Sequence, residues 1–159
     1  MVKLDLQLKA ELTNVTDLVP AREDHCWSFK IKCNSCHEVD ENIITISADD
    51  SSQISGSRGE ANLVMRCKFC KREGVASIVG EPVPYTAESS GNFARVLTVE
   101  CRGIEPVELE LRDGWKAKST ESEERFEIDL TEGEWYDYDE TAAVEVSVTD
   151  IDSKFVRSK

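Results

Sequence analysis

The chain has 159 residues, 40% of them hydrophobic, which is enough for one compact domain or two small ones with a buried core. Its formal net charge of −13 argues against a protein whose main task is to bind a phosphate backbone. No stretch approaches the roughly 18 consecutive apolar residues that span a bilayer, and the N-terminus lacks the apolar run of a signal peptide. We therefore expect a soluble, cytoplasmic protein with access to the nucleus and no membrane partner.

Apolar and polar residues alternate strictly at the start of the chain. The apolar positions are Val2, Leu4, Leu6, Leu8, Ala10 and Leu12, and a polar residue lies between each pair. A period of two is typical of a half-buried β-strand. The same period recurs over residues 27–33, 63–67, 97–101, 107–111, 126–130 and 144–148, and no long segment has a helical period. The sequence therefore predicts an all-β fold of antiparallel sheets with polar outer faces.

Two polar segments divide this pattern. Residues 49–60 are rich in turn-forming residues and predict a loop, and residues 81–92 predict a linker. We expect two β-sandwich-like halves, a zinc-binding domain over 1–85 and an acidic domain without metal over 91–159. A weak similarity between residues 11–18 and 100–107 leaves two interpretations open: a tandem duplication, or the chance likeness of two alternating strands.

Four of the six cysteines form two CxxC pairs, Cys33–Cys36 and Cys67–Cys70, separated by 30 residues. In a reducing compartment this pattern indicates a metal site rather than disulfides. Four thiolates complete the tetrahedral shell of Zn²⁺ and leave no open position, so we predict one structural zinc ion. We expect antiparallel strands over 43–47 and 62–66 to bring the two pairs together.

Several other residues near the pairs need an assignment. We expect the cations to lower the thiol pKa values and to offset the negative charge of the site; they are Lys30, Lys32, Arg66, Lys68, Lys71 and Arg72. His37 is an alternative ligand, but four cysteines need no substitute. We expect Cys26 and Cys101 to pack without a ligand role, and His25 to be a surface or packed side chain.

The second half of the chain is acidic and contains the segment Trp135-Tyr136-Asp137-Tyr138-Asp139-Glu140. Its acids either dock a basic partner or form a solvated face that keeps the protein in solution. In this segment the competing interpretation is that Trp135 and Tyr138 pack inward while the acids stay in water. The chain has no phosphate-binding glycine loop, no Ser/His/Asp set and no HExxH motif, so we predict no enzyme activity.

Six motifs, taken in their order along the chain, resemble those of one known protein family. They are Leu6-Gln7-Leu8-Lys9-Ala10, Lys32-Cys33-Asn34-Ser35-Cys36, Gly56-Ser57-Arg58-Gly59 leading into Cys67-Lys68-Phe69-Cys70, Pro84-Tyr85-Thr86-Ala87-Glu88, Glu100-Cys101-Arg102-Gly103-Ile104-Glu105-Pro106 and Asp137-Tyr138-Asp139-Glu140. The chain resembles the eukaryotic family of CXXC-motif-containing zinc-binding proteins. The resemblance implies zinc on Cys33, Cys36, Cys67 and Cys70, a mainly β architecture of two similar halves with metal only in the first, and no established catalytic activity.

Three hypotheses for the function follow. The first is a monomeric, non-enzymatic scaffold that binds a protein partner, either basic or metal-handling, through its acidic half. The second is a metal-handling or redox-responsive protein that exchanges its zinc or releases it when the thiolates oxidise. The third is a nucleic-acid binder of the zinc-ribbon type, which is supported by the basic residues near the pairs and by Phe69 but opposed by the net charge of −13.

Overall fold

The computed structural model describes residues 1–56 and 59–158, and these residues form an all-β protein. The strands are β1 (Val2–Thr13), β2 (Val15–Pro20), β3 (Trp27–Cys33), β4 (Ile44–Ile46), β5 (Ser52–Gln53), β6 (Glu60–Ala61), β7 (Leu63–Arg66), β8 (Glu73–Val79), β9 (Ala94–Arg102), β10 (Ile104–Glu110), β11 (Trp115–Ser119), β12 (Arg125–Ile128), β13 (Trp135–Asp139) and β14 (Val144–Arg157). A single 3₁₀ turn, Ala87–Ser89, is the one helical element of the described residues. The predicted fold class is confirmed.

Within the described part of the chain, no helix has the length and apolar character needed to cross a membrane.

Antiparallel pairing builds one large sheet and three small ones. The six-stranded sheet has the order β13-β14-β1-β9-β8-β7, and the two three-stranded sheets have the orders β10-β3-β4 and β12-β11-β2. Strands β5 and β6 form a two-stranded ribbon that overlaps the predicted loop over 49–60 and ends at Ala61. Of the motif Gly56-Ser57-Arg58-Gly59, Ser57 and Arg58 lie outside the described residues.

The core lies under the central strand β1, whose alternation places Leu6 and Leu8 on the buried face. One hydrophobic cluster joins these side chains to Phe29, Leu97 and Ile128. Strands from both sides of residues 81–92 therefore share a sheet and a core. The division into domains over 1–85 and 91–159 and the tandem duplication stay predictions.

Residues 81–92 pack against the rest of the protein, so the prediction of a linker is wrong. Leu18 and Tyr85 exchange backbone hydrogen bonds of 2.9 and 2.8 Å. The Tyr85 side chain is fully buried, and its hydroxyl oxygen lies 2.6 Å from the carbonyl oxygen of Ser89 and 2.7 Å from that of Asn92. A buried aromatic ring with a satisfied hydroxyl anchors the segment between β1 and β2.

The predicted pairing of residues 43–47 with 62–66 is also wrong. Strand β4 pairs with β3, and β7 pairs with β8. The two cysteine pairs follow β3 and β7 in the chain, and these strands are brought together through β10 and β8. Gly74 of β8 lies against Ile104 of β10, and the Asn34 N–H donates a 2.9 Å hydrogen bond to the Gly103 carbonyl in the β9–β10 turn.

The contact between Gly74 and Ile104 leaves no space for a larger residue. A Cβ atom at position 74 would lie 2.9 Å from Ile104 Cγ1 and even closer to Cγ2. We expect Gly74→Ala to lower the free energy of unfolding by about 1–3 kcal/mol through overpacking. Urea denaturation of this variant, of Ile104→Ala and of the double variant tests this. The double variant should lose less free energy of unfolding than the two single variants lose together. Strict additivity of the two losses would contradict the packing argument.

Candidate metal centre

The first cysteine pair lies on a tight turn at the end of β3. The Cys33 N–H donates to the Glu38 carbonyl at 2.9 Å, and the His37 N–H donates back to the Cys33 carbonyl at 2.8 Å. His37 has a φ of 65°, a left-handed conformation that reverses the chain after Cys36. These bonds direct the Cys33 and Cys36 side chains toward the same point.

The second pair lies on a turn with the same bonds. The Cys67 N–H donates to the Arg72 carbonyl at 2.9 Å, and the Lys71 N–H donates to the Cys67 carbonyl at 2.9 Å. Lys71 has a φ of 67°, in the position that His37 occupies in the first turn. Two turns with different sequences thus share one backbone conformation, so the geometry is set by the cysteine spacing and the left-handed residue that follows. We call these turns the two knuckles, residues 33–38 and 67–72.

The two knuckles place four sulfur atoms in one cluster. Cys33 Sγ lies 3.6 Å from Cys70 Sγ, and Cys36 Sγ lies 3.6 Å from Cys67 Sγ. All four sulfurs lie within 4.8 Å of one another. A zinc–sulfur bond of about 2.3 Å implies sulfurs about 3.8 Å apart at the corners of a tetrahedron, whereas a disulfide requires about 2.05 Å. The cluster therefore suits one zinc ion.

The two cysteines of each knuckle differ in exposure. Cys33 and Cys67 are buried, with 4% and 6% of their surface exposed, whereas Cys36 and Cys70 are half-buried. The cavity next to Cys33 and Cys67 has a volume of about 10 Å³, which is room for about one water molecule. This cavity is too small to hold a substrate.

Backbone N–H groups of the knuckles set the protonation of the thiols. The N–H groups of Cys36 and Ser35 lower the pKa of Cys33 to about 6, and those of Cys70 and Phe69 lower the pKa of Cys67. At Cys36 the Glu38 N–H acts in the same direction, but burial and the neighbouring sulfurs outweigh it and raise the pKa to about 12. A metal-free cluster therefore keeps protons that zinc binding has to release.

The basic residues near the knuckles act differently from the prediction. Lys32 pairs with Glu105 at 3.2 Å, and Lys68 pairs with Asp40 at 3.4 Å. Lys71 Nζ donates to the Lys68 carbonyl at 2.8 Å, which braces the second knuckle. The largest causes of the lowered thiol pKa values are backbone N–H groups, so the prediction that the cations lower them is not supported.

The remaining cysteines and histidines lie outside the cluster. Cys101 is buried, as predicted, and burial raises its pKa to about 11. Cys26 is exposed, so the prediction that it packs is wrong. His25 packs edge-on against Trp27 and Trp115 with ring centroids 5.1 and 5.6 Å away, and burial lowers its pKa.

The segment over residues 135–140 departs from its predicted packing. Trp135 is partly buried and packs against Phe126 with ring centroids 5.5 Å apart. Tyr138, expected to point inward, is 46% exposed, and Tyr136 is 65% exposed. Asp139, expected to stay in water, has no exposed surface. Burial of this acid is the feature that sequence reasoning missed, and its only signal is the alternation that places Asp139 on the face of Trp135.

Hydrogen-bond donors surround the buried Asp139 carboxylate. It accepts hydrogen bonds from the Ser119 and Ser122 hydroxyls and from the Ala142 N–H, the last two at 2.6 and 3.0 Å. Burial would raise the pKa of Asp139, but the donors outweigh it and hold the pKa far below 3.8. Glu124 lies beside it, and the hydrogen bond to Asp139, burial and the charge of Asp139 raise the pKa of Glu124 above 4.5. In the described residues, Glu124 Oε2 is buried and has no donor.

These two carboxyl groups have opposite effects on the pH dependence of stability. The lowered pKa of Asp139 stabilises the fold above the unfolded value of 3.8, and this contribution is lost as the pH falls. The raised pKa of Glu124 stabilises the fold below 4.5, and this contribution is lost as the pH rises through the folded pKa. Both contributions are present together near pH 4, and at neutral pH only that of Asp139 remains, because Glu124 then carries its charge beside Asp139.

Glu124→Gln should accordingly raise the thermal midpoint, and by more at pH 7 than at pH 4. Glutamine supplies an uncharged N–H donor to Asp139 at every pH, whereas the Glu124 carboxyl group donates, through its O–H, only when it is protonated. Thermal unfolding at both pH values measures the effect. Glu123→Gln, at an exposed neighbouring position, is the control and should show no such difference. A larger gain in the thermal midpoint at pH 4 than at pH 7 would contradict the raised pKa assigned to Glu124.

Comparisons with known proteins agree with this geometry. A sequence model of the family described as CXXC motif containing zinc binding protein, eukaryotic, matches residues 5–156. The Homo sapiens CXXC motif containing zinc binding protein is 40% identical over 159 residues, covering 99% of each chain. The crystal structure of C1orf123 superposes with a TM-score of 0.92 at 40% identity, over 98% of this chain and 99% of that chain.

A more distant structure shows the same fold. A hypothetical protein from Plasmodium falciparum has a TM-score of 0.87 at 21% identity, over 98% of this chain and 100% of that chain. At this identity the likeness concerns the arrangement of strands alone.

Proposed function

This chain belongs to the eukaryotic family of CXXC motif containing zinc binding proteins, and from that premise we propose that it is a non-enzymatic, zinc-stabilised β scaffold that binds other proteins through its acidic second half. Cys33, Cys36, Cys67 and Cys70 would hold the ion. Bound zinc supplies a cross-link between the two knuckles, and four thiolates leave it no open position for substrate or water. The site is therefore structural in this proposal.

A concentration of acidic residues in the second half carries the proposal. Between residues 121 and 140 the chain has ten aspartates and glutamates and one arginine. Apart from the buried Asp139 and the half-buried Glu124, these acids are exposed on β12, on β13 and in the turns around them. Such a surface favours a basic protein over an acidic one and accelerates its association at low salt. A cytoplasmic monomer with a basic protein partner is the form that we propose.

An affinity survey tests the acidic surface directly. We expect the wild type to retain partners that salt releases, and a variant with Glu127→Gln, Asp129→Asn, Glu132→Gln and Glu134→Gln to lose them. The amides keep the local hydrogen bonds, such as the one that Asp129 Oδ1 accepts from the Thr131 N–H. The matched control neutralises four exposed acids of the first half, Glu23, Glu41, Asp49 and Glu60, and should keep the partners. Partners that both variants retain equally in high salt would contradict the proposal.

A second candidate function is zinc exchange with another metal-handling protein. The observation in its favour is the partial exposure of Cys36 and Cys70, because an acceptor thiolate would reach these two sulfurs first. The rate of zinc loss to excess chelator distinguishes the two functions. Transfer within minutes supports exchange, and retention of zinc for hours supports the structural role.

A further inference from the structure

We propose that the free edge of β13 takes an extended, lysine- or arginine-bearing segment of a partner protein as an added strand of the six-stranded sheet. The inference rests on the proposed function, because it specifies where the basic partner binds and in which conformation. Addition of a strand to an open sheet edge is a common mode of peptide recognition, in which main-chain hydrogen bonds supply affinity.

Strand β13 ends the six-stranded sheet. In the part of the chain that the structure describes, it pairs with β14 alone, and its register runs without a shift from Trp135 to Asp139. Proteins usually protect such edges by keeping them short or with charged side chains, proline, a bulge or an inward-pointing charge. The strand Trp-Tyr-Asp-Tyr-Asp has five residues and neither proline nor a bulge, and its two charged residues, Asp137 and the buried Asp139, are both acidic. Acids at this edge disfavour an acidic strand, whereas a strand with lysine or arginine would pair with them.

The protein holds this edge in place from its inner side. Trp135 packs against Phe126 of β12, and Asp139 accepts a hydrogen bond from Ser119 at the end of β11. The two contacts anchor both ends of the five-residue strand. An edge ordered before binding reduces the entropy that a partner has to overcome.

Backbone donors of β13 point away from the sheet. The Tyr138 N–H bonds to the side-chain Oδ1 of its neighbour Asp137 at 2.7 Å, which indicates that it faces outward rather than toward β14. In an antiparallel strand such groups alternate, so the Tyr136 N–H faces the same way. An incoming strand would therefore find its donors at Tyr136 and Tyr138, and it would displace the Asp137 carboxylate from one of them.

The charge around the edge selects the occupant. Asp137 lies between the two tyrosines in the chain, Glu140 follows the end of β13, and Glu134 accepts a hydrogen bond from the Tyr136 hydroxyl. A second copy of this chain would place acid against acid, which is unfavourable. A strand with lysine or arginine side chains would pair with these acids, and its cations would also contact the exposed tyrosine rings.

A peptide with a modified backbone separates strand addition from simple charge attraction. The probe is an acetylated, amidated nonapeptide of alternating lysine and valine, compared with the same peptide N-methylated at its three central backbone nitrogens. NMR titration at low salt measures both affinities and the amide exchange of Tyr136 and Tyr138. We expect the methylated peptide to bind at least about 10-fold more weakly, and only the unmodified one to slow exchange at these two amides.

Variants of the protein provide an independent test of strand addition. Tyr136→Pro removes an outward donor without removing a bond to β14, and it should weaken binding of the unmodified peptide by about 10-fold. Tyr136→Val keeps the donor and should retain the binding. Equal binding of both peptides without protection of the two amides would overturn strand addition and leave the acidic docking surface intact.

Two further outcomes are distinct from these. Failure of both peptides to bind at low salt would overturn the proposed function together with this inference. A concentration-dependent dimer that protects the amides of Tyr136 and Tyr138 would show that a second copy occupies the edge, and it would overturn the inference alone.

Discussion

Replacement of Cys67 by serine should yield a protein with far less than one zinc ion per chain and a free energy of unfolding several kcal/mol below that of the wild type. Cys67 is buried, and its sulfur lies 3.6 Å from that of Cys36 in the four-sulfur cluster. A serine hydroxyl stays protonated where the thiol ionises. Structural zinc sites contribute about 10–16 kcal/mol of apparent binding free energy in small peptides, which is comparable to the total stability of about 5–15 kcal/mol of a domain.

Elemental analysis of the purified protein and urea denaturation measure the two effects, and Cys26→Ser is the matched control. Cys26 is exposed and lies outside the cluster, so this variant should keep one zinc ion and the stability of the wild type. Hydrogen exchange should show that the loss of protection in Cys67→Ser begins at the two knuckles and at the strands that lead into them. Stoichiometric zinc in the Cys67 variant would show that the cluster is not the binding site.

The second large effect is expected for Tyr85→Phe, which should cost about 1–3 kcal/mol although it removes one oxygen atom. The hydroxyl lies within 2.6 and 2.7 Å of the carbonyl oxygens of Ser89 and Asn92, and it accepts a 3.2 Å hydrogen bond from the Ala10 N–H. Phenylalanine would leave the buried Ala10 N–H without its acceptor and would remove the hydroxyl donor from the two part-buried carbonyls, of which that of Ser89 keeps the Asn92 N–H. Thermal or urea unfolding provides the measurement.

Tyr136→Phe is the appropriate comparison, because the Tyr136 ring is 65% exposed and its hydroxyl contacts Glu134 at the surface. Water replaces the lost bond there, so the change should stay within about 0.5 kcal/mol. Equal losses in the two variants would mean that Tyr85 anchors residues 81–92 through its ring alone.

Alternation along the chain was sufficient to predict most of the strands. In β1 the period of two places Leu6 and Leu8 on the buried face and leaves Lys3 and Glu11 exposed, as the structure shows. This signal is local, because the side chains of a strand face opposite sides whatever the partner strand is. The same local logic holds within each CxxC pair, whose spacing lets both sulfurs bind one ion.

The pairing between strands could not be predicted from this alternation. Residues 43–47 and 62–66 have the pattern of strands, but the pattern does not state that β4 pairs with β3 and β7 with β8. A half-buried strand fits many partners, and the choice depends on long-range packing. The close approach of Gly74 to Ile104, which joins the two knuckles, is one such contact.

Burial of polar groups was the hardest property to predict. Asp139 and the hydroxyl of Tyr85 resemble surface groups in the sequence, but each is buried with partners from other segments, Ser119 and Ser122 at Asp139 and Ala10 at Tyr85. Desolvation of a polar atom is offset only when such partners arrive. The sequence by itself determined most of the strands, the four candidate zinc ligands and the acidic character of the second half. The tertiary structure decided which strands pair, which acid is buried and that β13 ends the six-stranded sheet, since these depend on contacts between residues far apart in the chain.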